Sequence, residues 1–268
     1  MTENYQVVTM KGIVVFGLIF VSLFTIACDQ KQKYGDPVTA PDSLLKNITS
    51  FLAYREKNVR LSEDYQALDT VSNPMTQESF LKTVATGRYF PLRLKSDDSV
   101  AVYQLAKVDD AASQDIKTTV KYWGLEELEH FQREGTALPA YRFTDMEGNT
   151  YTNETTKGKI VVLKCWFIAC LPCVQEMPAL NQLKKHYENR SDVLFLSLCL
   201  DPRQKVAAFL KKKQFDYAVI PDQESYLTDQ LQINAYPTHF VINKQGLITK
   251  KVTDYQALVY ALTKETAR

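Results

Sequence analysis

Val161-Val162-Leu163-Lys164-Cys165-Trp166-Phe167-Ile168-Ala169-Cys170-Leu171-Pro172-Cys173-Val174-Gln175-Glu176-Met177-Pro178 is the stretch that decides the fold. Its first part is an apolar run rich in β-branched and aromatic residues, which predicts a buried strand. The run leads directly into Cys-x-x-Cys, and a helical pattern follows. The first turn of a helix has unpaired N–H groups and the positive end of the macrodipole. Both stabilise a thiolate, the nucleophile of disulfide exchange. Two intervening residues let the second sulfur reach back to the first. Pro172 suits a first-turn position, where its missing N–H costs little. Two plainer readings compete. The pair could be half of a zinc site, but Cys28, Cys165, Cys199, His130, His186 and His239 supply no second pair at ligand spacing. It could be a structural staple, but so small a ring gains little from loop closure.

Outward from this stretch, strands and helices alternate. Residues 140–145 read as a strand and residues 145–149 as a turn, with residues 150–152 returning as a hairpin arm. Pro178 should kink the helix after the cysteines. Residues 193–200 form a second buried strand, residues 202–214 a helix and residues 216–220 a third strand. A short helix carries Leu227 and Leu231. Ala235-Tyr236-Pro237-Thr238-His239-Phe240-Val241-Ile242 leads to a turn at residues 243–246, a strand at 247–252 and a C-terminal amphipathic helix. The pattern predicts an α/β fold with a central mixed sheet covered on both faces.

From about residue 136 to the end, the chain resembles the thioredoxin-like fold in its TlpA/ResA-like branch. Trp166, Cys170-Leu171-Pro172-Cys173, Glu176, Pro178 and Tyr236-Pro237-Thr238 carry the resemblance. It implies a thiol–disulfide oxidoreductase with no cofactor beyond its redox-active disulfide and no metal. Cys170 would be the exposed attacking cysteine and Cys173 the resolving one. Pro237 would be a cis-proline facing the disulfide, with the backbone of Tyr236 open to a client's extended chain; by itself an X-Pro bond would read as an ordinary trans turn. Trp166, Leu171, Pro172, Tyr236, Pro237 and Thr238 are the candidate substrate-binding residues. Glu176 matches an acid beside the dithiol, where negative charge raises thiol pKa values and passes protons to or from Cys173; the plainer alternative is a solvent-facing helix residue.

Two departures from the family stand out. Lys164 occupies the strand position of a buried aspartate in ordinary thioredoxins. Pointing toward the motif, it would favour the thiolate; snorkelling outward, it would do nothing. Ala169 replaces a tryptophan common before the first cysteine, which opens the rim. Cys165 and Cys199 read as buried core residues, bridged only if their strands are neighbours. His239 reads as a core or flanking residue rather than a base.

The chain has 268 residues, with 32 Lys and Arg against 31 Asp and Glu, a formal charge of +1. No nucleic-acid partner is expected from this balance. Residues 12–27 form an apolar run after Lys11, with the length of a signal-peptide core and short for a span of about 20 residues. Its end, Leu23-Phe24-Thr25-Ile26-Ala27-Cys28, resembles the lipobox of bacterial lipoproteins, although Thr25 replaces the usual leucine. The expectation is a signal peptide over residues 1–28, lipidation at Cys28, and a body facing the periplasm or cell exterior. An uncleaved membrane anchor is the alternative. Residues 1–9 lack a positive side chain, so Met10 is the expected true start.

Residues 29–41 read as a flexible tether and residues 42–135 as a small N-terminal α+β domain. That domain has a helix from residue 41 through Leu52, a helix from Thr76 capped by Gly87, strands at 90–94 and 100–108 around a turn at 95–99, and helices at 112–122 and 125–133 closed by Gly135. Glu126, Glu127 and Glu129 read as a solvated face opposite Leu125, Leu128 and Phe131, with His130 at the surface. The domain carries no catalytic constellation and is expected to position the redox domain or recognise its client.

The function expected is reduction of client protein disulfides by the Cys170/Cys173 dithiol, fed by a membrane thiol-relay electron donor. One rival is a thiol peroxidase of the peroxiredoxin type, which carries Thr/Ser-x-x-Cys where Phe167 stands here. Another is a non-catalytic surface lipoprotein that uses the fold as a binding scaffold.

Overall fold

Ile160, Val161, Val162, Leu163, Cys165 and Trp166 are all buried, so the strand they form has to lie at the centre of a sheet with both faces covered. In the computed structural model, which describes residues 34–97, 100–109 and 112–268, this strand is β7 (Ile160–Trp166). Its sheet has the order β11-β10-β7-β8-β9. β8 (Val193–Cys199) and β9 (Ala218–Ile220) run parallel to β7. β10 (Thr238–Ile242) and β11 (Ile248–Val252) run antiparallel.

The two faces of β7 alternate as a pleated strand requires. Ile160, Val162 and Trp166 face α5 (Leu171–Gln175), α6 (Met177–His186) and α8 (Tyr255–Thr266), in a core with Met177, Leu180, Leu183, Leu258 and Leu262. Val161, Leu163 and Cys165 face the other core, with Leu227, Leu231 and Phe143. Phe143 belongs to the hairpin of β5 (Arg142–Thr144) and β6 (Thr150–Thr152). Each buried Val, Leu or Ile adds roughly 1.5–3 kcal/mol, so β7 is an energetic centre as well as a geometric one. α7 (Arg203–Leu210) adds Val206 to the first core. The helix expected near Leu227 is a π-helical turn, Tyr226–Gln230.

The preceding segment contains α1 (Pro41–Leu44), α2 (Ile48–Asn58), β1 (Tyr65–Leu68), β2 (Pro74–Met75), α3 (Gln77–Val84), β3 (Tyr89–Leu94), β4 (Ala101–Lys107) and α4 (Gln114–Arg133). The sheet order is β2-β1-β4-β3, with β1 parallel to β4. Phe51, Tyr54, Phe80, Phe90, Tyr103 and Trp123 fill its core.

Several expectations are corrected here. The single helix expected from residue 41 is divided, because Asn47 caps a new helix by accepting the Ser50 N–H at 2.9 Å. β1 and β2 are too short to show a periodic pattern, and β1 is fixed by its register with β4. The helices expected on either side of residue 124 are one helix. Gly124 is needed there for contact: a Cβ would lie 2.5 Å from the Ala85 nitrogen, so its absence lets α4 cross the end of α3. The tether ends earlier than expected. Gly35 N–H donates to Lys95 O at 3.0 Å and Val38 N–H to Arg93 O at 3.0 Å, so residues 34–38 cover the edge of β3, whose free backbone groups need partners. Tyr34 is buried with Leu68, Leu94 and Val102.

α4 also reaches the redox sheet. Its Glu129 pairs with Lys251 of β11, and Glu134 accepts from Lys250 at 2.6 Å. Gly135 N–H donates to Ile248 O, and Ile248 N–H to Thr136 O, both at 2.8 Å. Residues 34–268 thus form one compact unit with separate cores. Among the described residues no helix is long and apolar enough to cross a membrane. The expected signal peptide, Cys28 and residues 29–33 of the tether lie outside the described residues, as do residues 98 and 99 of the expected turn.

Candidate active site

Cys170 is the N-cap of α5, where the strand–helix junction places it. It is disulfide-bonded to Cys173. The Cys173 N–H donates to Cys170 Sγ at 3.2 Å, so a first-turn amide points at this sulfur. In the reduced protein the same amide and helix end favour a thiolate there. Cys170 is less open than expected, at 4 % exposure, while Cys173 is wholly buried. In the oxidised state Phe167 and Ile168 pack against the cluster that contains both cysteines. Leu171, by contrast, is 65 % exposed, and Pro172 is exposed beside it.

Pro178 divides the helix as expected. α5 ends at Gln175 and α6 starts at Met177, with Glu176 between them. This break turns Glu176 inward. Lys164 is the one charged inner position of β7, and it points toward the motif at 0 % exposure. Its ammonium pairs with Glu176 Oε1 and donates to the Cys173 carbonyl at 3.1 Å. His239 is Lys164's register partner on β10, and its Nε2 lies 3.1 Å from Glu176 Oε1. A Lys164–Glu176–His239 cluster therefore sits beneath the disulfide. Neither the snorkelling lysine nor the solvent-facing glutamate is what the fold contains.

Burial pushes the Glu176 carboxyl up, but the His239 contact and the Lys164 ammonium outweigh it and hold the carboxyl below its ordinary range. Burial lowers Lys164, opposed by the Glu176 charge. Burial likewise lowers His239, against the raising effect of Glu176. The ammonium opposes Glu176's charge, so this acid disfavours a nearby thiolate less than an unpaired one would.

On the facing loop the Tyr236–Pro237 bond is cis. Tyr236 packs its ring edge-on to Phe167, with centroids 5.4 Å apart. Two candidate contact residues lie elsewhere than expected. Trp166 is wholly buried against Phe209 and Phe215, because it shares the inner face of β7 with Val162. The Thr238 side chain is also buried, and its hydroxyl donates to Ala235 O at 2.8 Å. Leu171, Pro172, Tyr236 and Pro237 remain at the surface.

Asp201 did not stand out in the sequence. Its Oδ2 accepts the Ile168 N–H at 2.7 Å and so fixes the loop before Cys170. An acid just after a buried strand was the only signal for it. Cys165 and Cys199 are free buried thiols, each pushed up to about 12 by burial. They are not register partners: Trp166 faces Cys199, and Cys165 faces Leu198.

With this geometry in view, similarity to known proteins is informative. Residues 135–251 match the model of the AhpC/TSA family. The chain is 30 % identical over 123 residues to a thiol-disulfide oxidoreductase ResA of Bacillus cereus, covering 46 % of this chain and 70 % of that protein. It is 26 % identical over 119 residues to the ResA of Geobacillus thermodenitrificans, covering 44 % and 68 %. The chain belongs to the TlpA/ResA-like thioredoxin-fold thiol–disulfide oxidoreductases. A thiol-disulfide oxidoreductase structure from Bacteroides fragilis shares 21 % identity at a TM-score of 0.44, over 48 % of this chain and 98 % of that one. This ResA-like chain is thus a thiol–disulfide oxidoreductase, and Cys170 and Cys173 form its disulfide pair. Phe167, three residues before Cys170, offers no hydroxyl where a peroxidase of this fold would place one.

Proposed function

We propose that this ResA-like chain is a lipid-anchored reductant of protein disulfides, facing the periplasm or cell exterior and recharged by a membrane thiol relay. The direction of electron flow rests on the family resemblance, and the site is compatible with it. The location rests on the apolar run at residues 12–27 and the lipobox-like end at Cys28. The observation that carries the mechanism is the first-turn amide aimed at Cys170 Sγ.

The Cys170 thiolate attacks one sulfur of the client disulfide. A Cys170–client bond forms, the client S–S bond breaks, and the second client sulfur leaves as a thiolate that takes up a proton. Cys173 then loses its proton and attacks Cys170 Sγ. The Cys170–Cys173 bond forms and the client thiolate departs. Two electrons have moved to the client, and an external dithiol must return them to the enzyme. The Lys164–Glu176–His239 cluster, bonded to the Cys173 carbonyl, is the nearby group suited to accept the Cys173 proton.

A Cys173→Ser variant should accumulate a mixed disulfide with client protein, and a Cys170→Ser variant should not. The reverse pattern would exchange the two roles. Equilibration with glutathione and dithiothreitol tests the direction. A potential at or below about −250 mV supports the reductant, whereas one near −120 mV marks an oxidant. Intact mass of the membrane-fraction protein tests acylation at Cys28, and an unacylated chain that retains the apolar run at residues 12–27 would refute the lipid anchor.

A further inference from the structure

A groove of about 800 Å³ runs between α4 and the loop that carries the cis-proline. Its walls include Tyr122, Leu125 and Glu126 from α4, and Asn234, Ala235 and Thr238 from the loop. Tyr122 and Leu125 are three residues apart and therefore neighbours on one helix face. They are 68 % and 44 % exposed, large apolar side chains left uncovered at the mouth of a cleft.

Three observations say what covers them. First, the groove borders the cis-proline loop, which touches the loop before Cys170. Ala235 and Thr238 flank Tyr236–Pro237, and the Tyr236 ring rests on Phe167, whose carbonyl accepts the Cys170 N–H at 3.1 Å. Whatever polypeptide presents its disulfide to Cys170 must lay its flanking residues along this rim. Second, two of the charges lining the groove, Glu129 and Arg55, are already engaged, while Glu126 stays on the wall beside Leu125. Glu129 is held by Lys251 and by Arg133 at 2.8 Å, and the Arg55 guanidinium lies over the Trp123 ring at 4.8 Å. Third, the wall is fixed. Arg133 donates to Leu231 O at 3.1 Å, at the start of the same loop, so α4 and the loop are tied together.

We propose that this groove docks the client polypeptide, receiving an uncharged aromatic or aliphatic side chain near the client cysteine on Tyr122 and Leu125. The inference rests on the thiol–disulfide reading and adds a recognition surface supplied by the N-terminal segment. Client choice is then divided between two walls: the cis-proline loop and the outer face of α4.

The experiment compares the reduced full chain with a Tyr122→Ser/Leu125→Ser variant. Three oxidised probes are used: a 12-residue disulfide peptide with Trp and Leu beside its cysteines, the same peptide with Ser at those positions, and glutathione disulfide. The native chain should reduce the apolar peptide on the order of tenfold faster than the Ser peptide, the scale of one desolvated anchor. The variant should lose that preference and keep its rate with glutathione disulfide, which is too small to span the groove. A native chain that reduces glutathione disulfide without preferring the apolar peptide overturns the docking proposal and leaves the oxidoreductase reading intact. A variant that keeps the preference, or slows equally on all three probes, also overturns it. A native chain that reduces none of the probes overturns the reductant reading and the docking proposal together.

Discussion

Replacing Lys164 by Met removes the cation of the buried cluster and leaves its acid in place. Methionine fills similar space but cannot donate to Glu176 or to the Cys173 carbonyl, both of which Lys164 serves. Breaking a buried ion pair from one side costs about 3–5 kcal/mol, because the remaining charge stays desolvated. For a unit of this size that corresponds to a fall in Tm of roughly 6–20 °C. The double variant Lys164→Met/Glu176→Gln removes both charges and should return to within about 1–2 kcal/mol of the native chain. The penalty of the single variant also depends on pH. Without the ammonium, the Glu176 pKa rises in the folded state, so the loss is full above the carboxylate range and shrinks as falling pH protonates Glu176. Glu176, left with only its His239 contact, then disfavours the nearby thiolate, which should make the couple more reducing by about 30 mV for each 1.4 kcal/mol. Guanidinium chloride unfolding of the oxidised protein measures the stability, with Trp123 reporting the N-terminal core and Trp166 the core between the redox sheet and α5, α6 and α8. A single variant that loses less than about 1 kcal/mol at pH 7 with an unchanged m-value would refute this reasoning. So would a double variant whose losses simply add.

Gly124→Ala should destabilise the chain by about 1–3 kcal/mol, since its Cβ would lie 2.5 Å from the Ala85 nitrogen and force α3 and α4 apart; thermal unfolding measures it. Burial, aided by the Lys251 charge, pushes His130 down to about 4 from 6.5, so its contribution is full above about 6.5 and is lost as pH falls toward 4. Stability measured against pH should therefore show an acid loss that His130→Gln flattens. Burial raises Glu127 to about 7 from 4.5, so its contribution has the opposite sign: it is present below about 4.5 and lost as pH rises toward 7. Glu127→Gln should remove that loss, which the same pH series detects. Cys165 and Cys199, pushed up to about 12 and buried, should resist iodoacetamide in the native reduced protein while Cys170 reacts, as mass mapping will show.

The redox motif was legible in the sequence because its chemistry is local. A β-branched run, Cys-x-x-Cys and Pro172 specify a strand, a turn and a helix start within eighteen residues. Pro178 marked the break that now holds Glu176, and the alternation along β7 made Lys164 conspicuous as a charge among apolar neighbours. Which way Lys164 points was not legible, because strand periodicity assigns a face but not what covers it. Only the register of β10 on β7 brings His239 beside Lys164, and only the break between α5 and α6 lowers Glu176 onto both.

The N-terminal segment was less legible for the same reason. β1 is four residues long and owes its place to a parallel partner more than thirty residues away. The sequence faced Leu125 inward and His130 outward, and the fold reverses both, because α4 packs on α3 and on the edge of the redox sheet at once. The sequence by itself determined the dithiol and its helix, since both depend on residues adjacent in the chain; the cis-proline loop came only through the family resemblance. The tertiary structure alone decided the charged cluster beneath the disulfide and the wall that α4 raises beside the cis-proline loop. Both arise from contacts between segments whose partners local sequence does not encode.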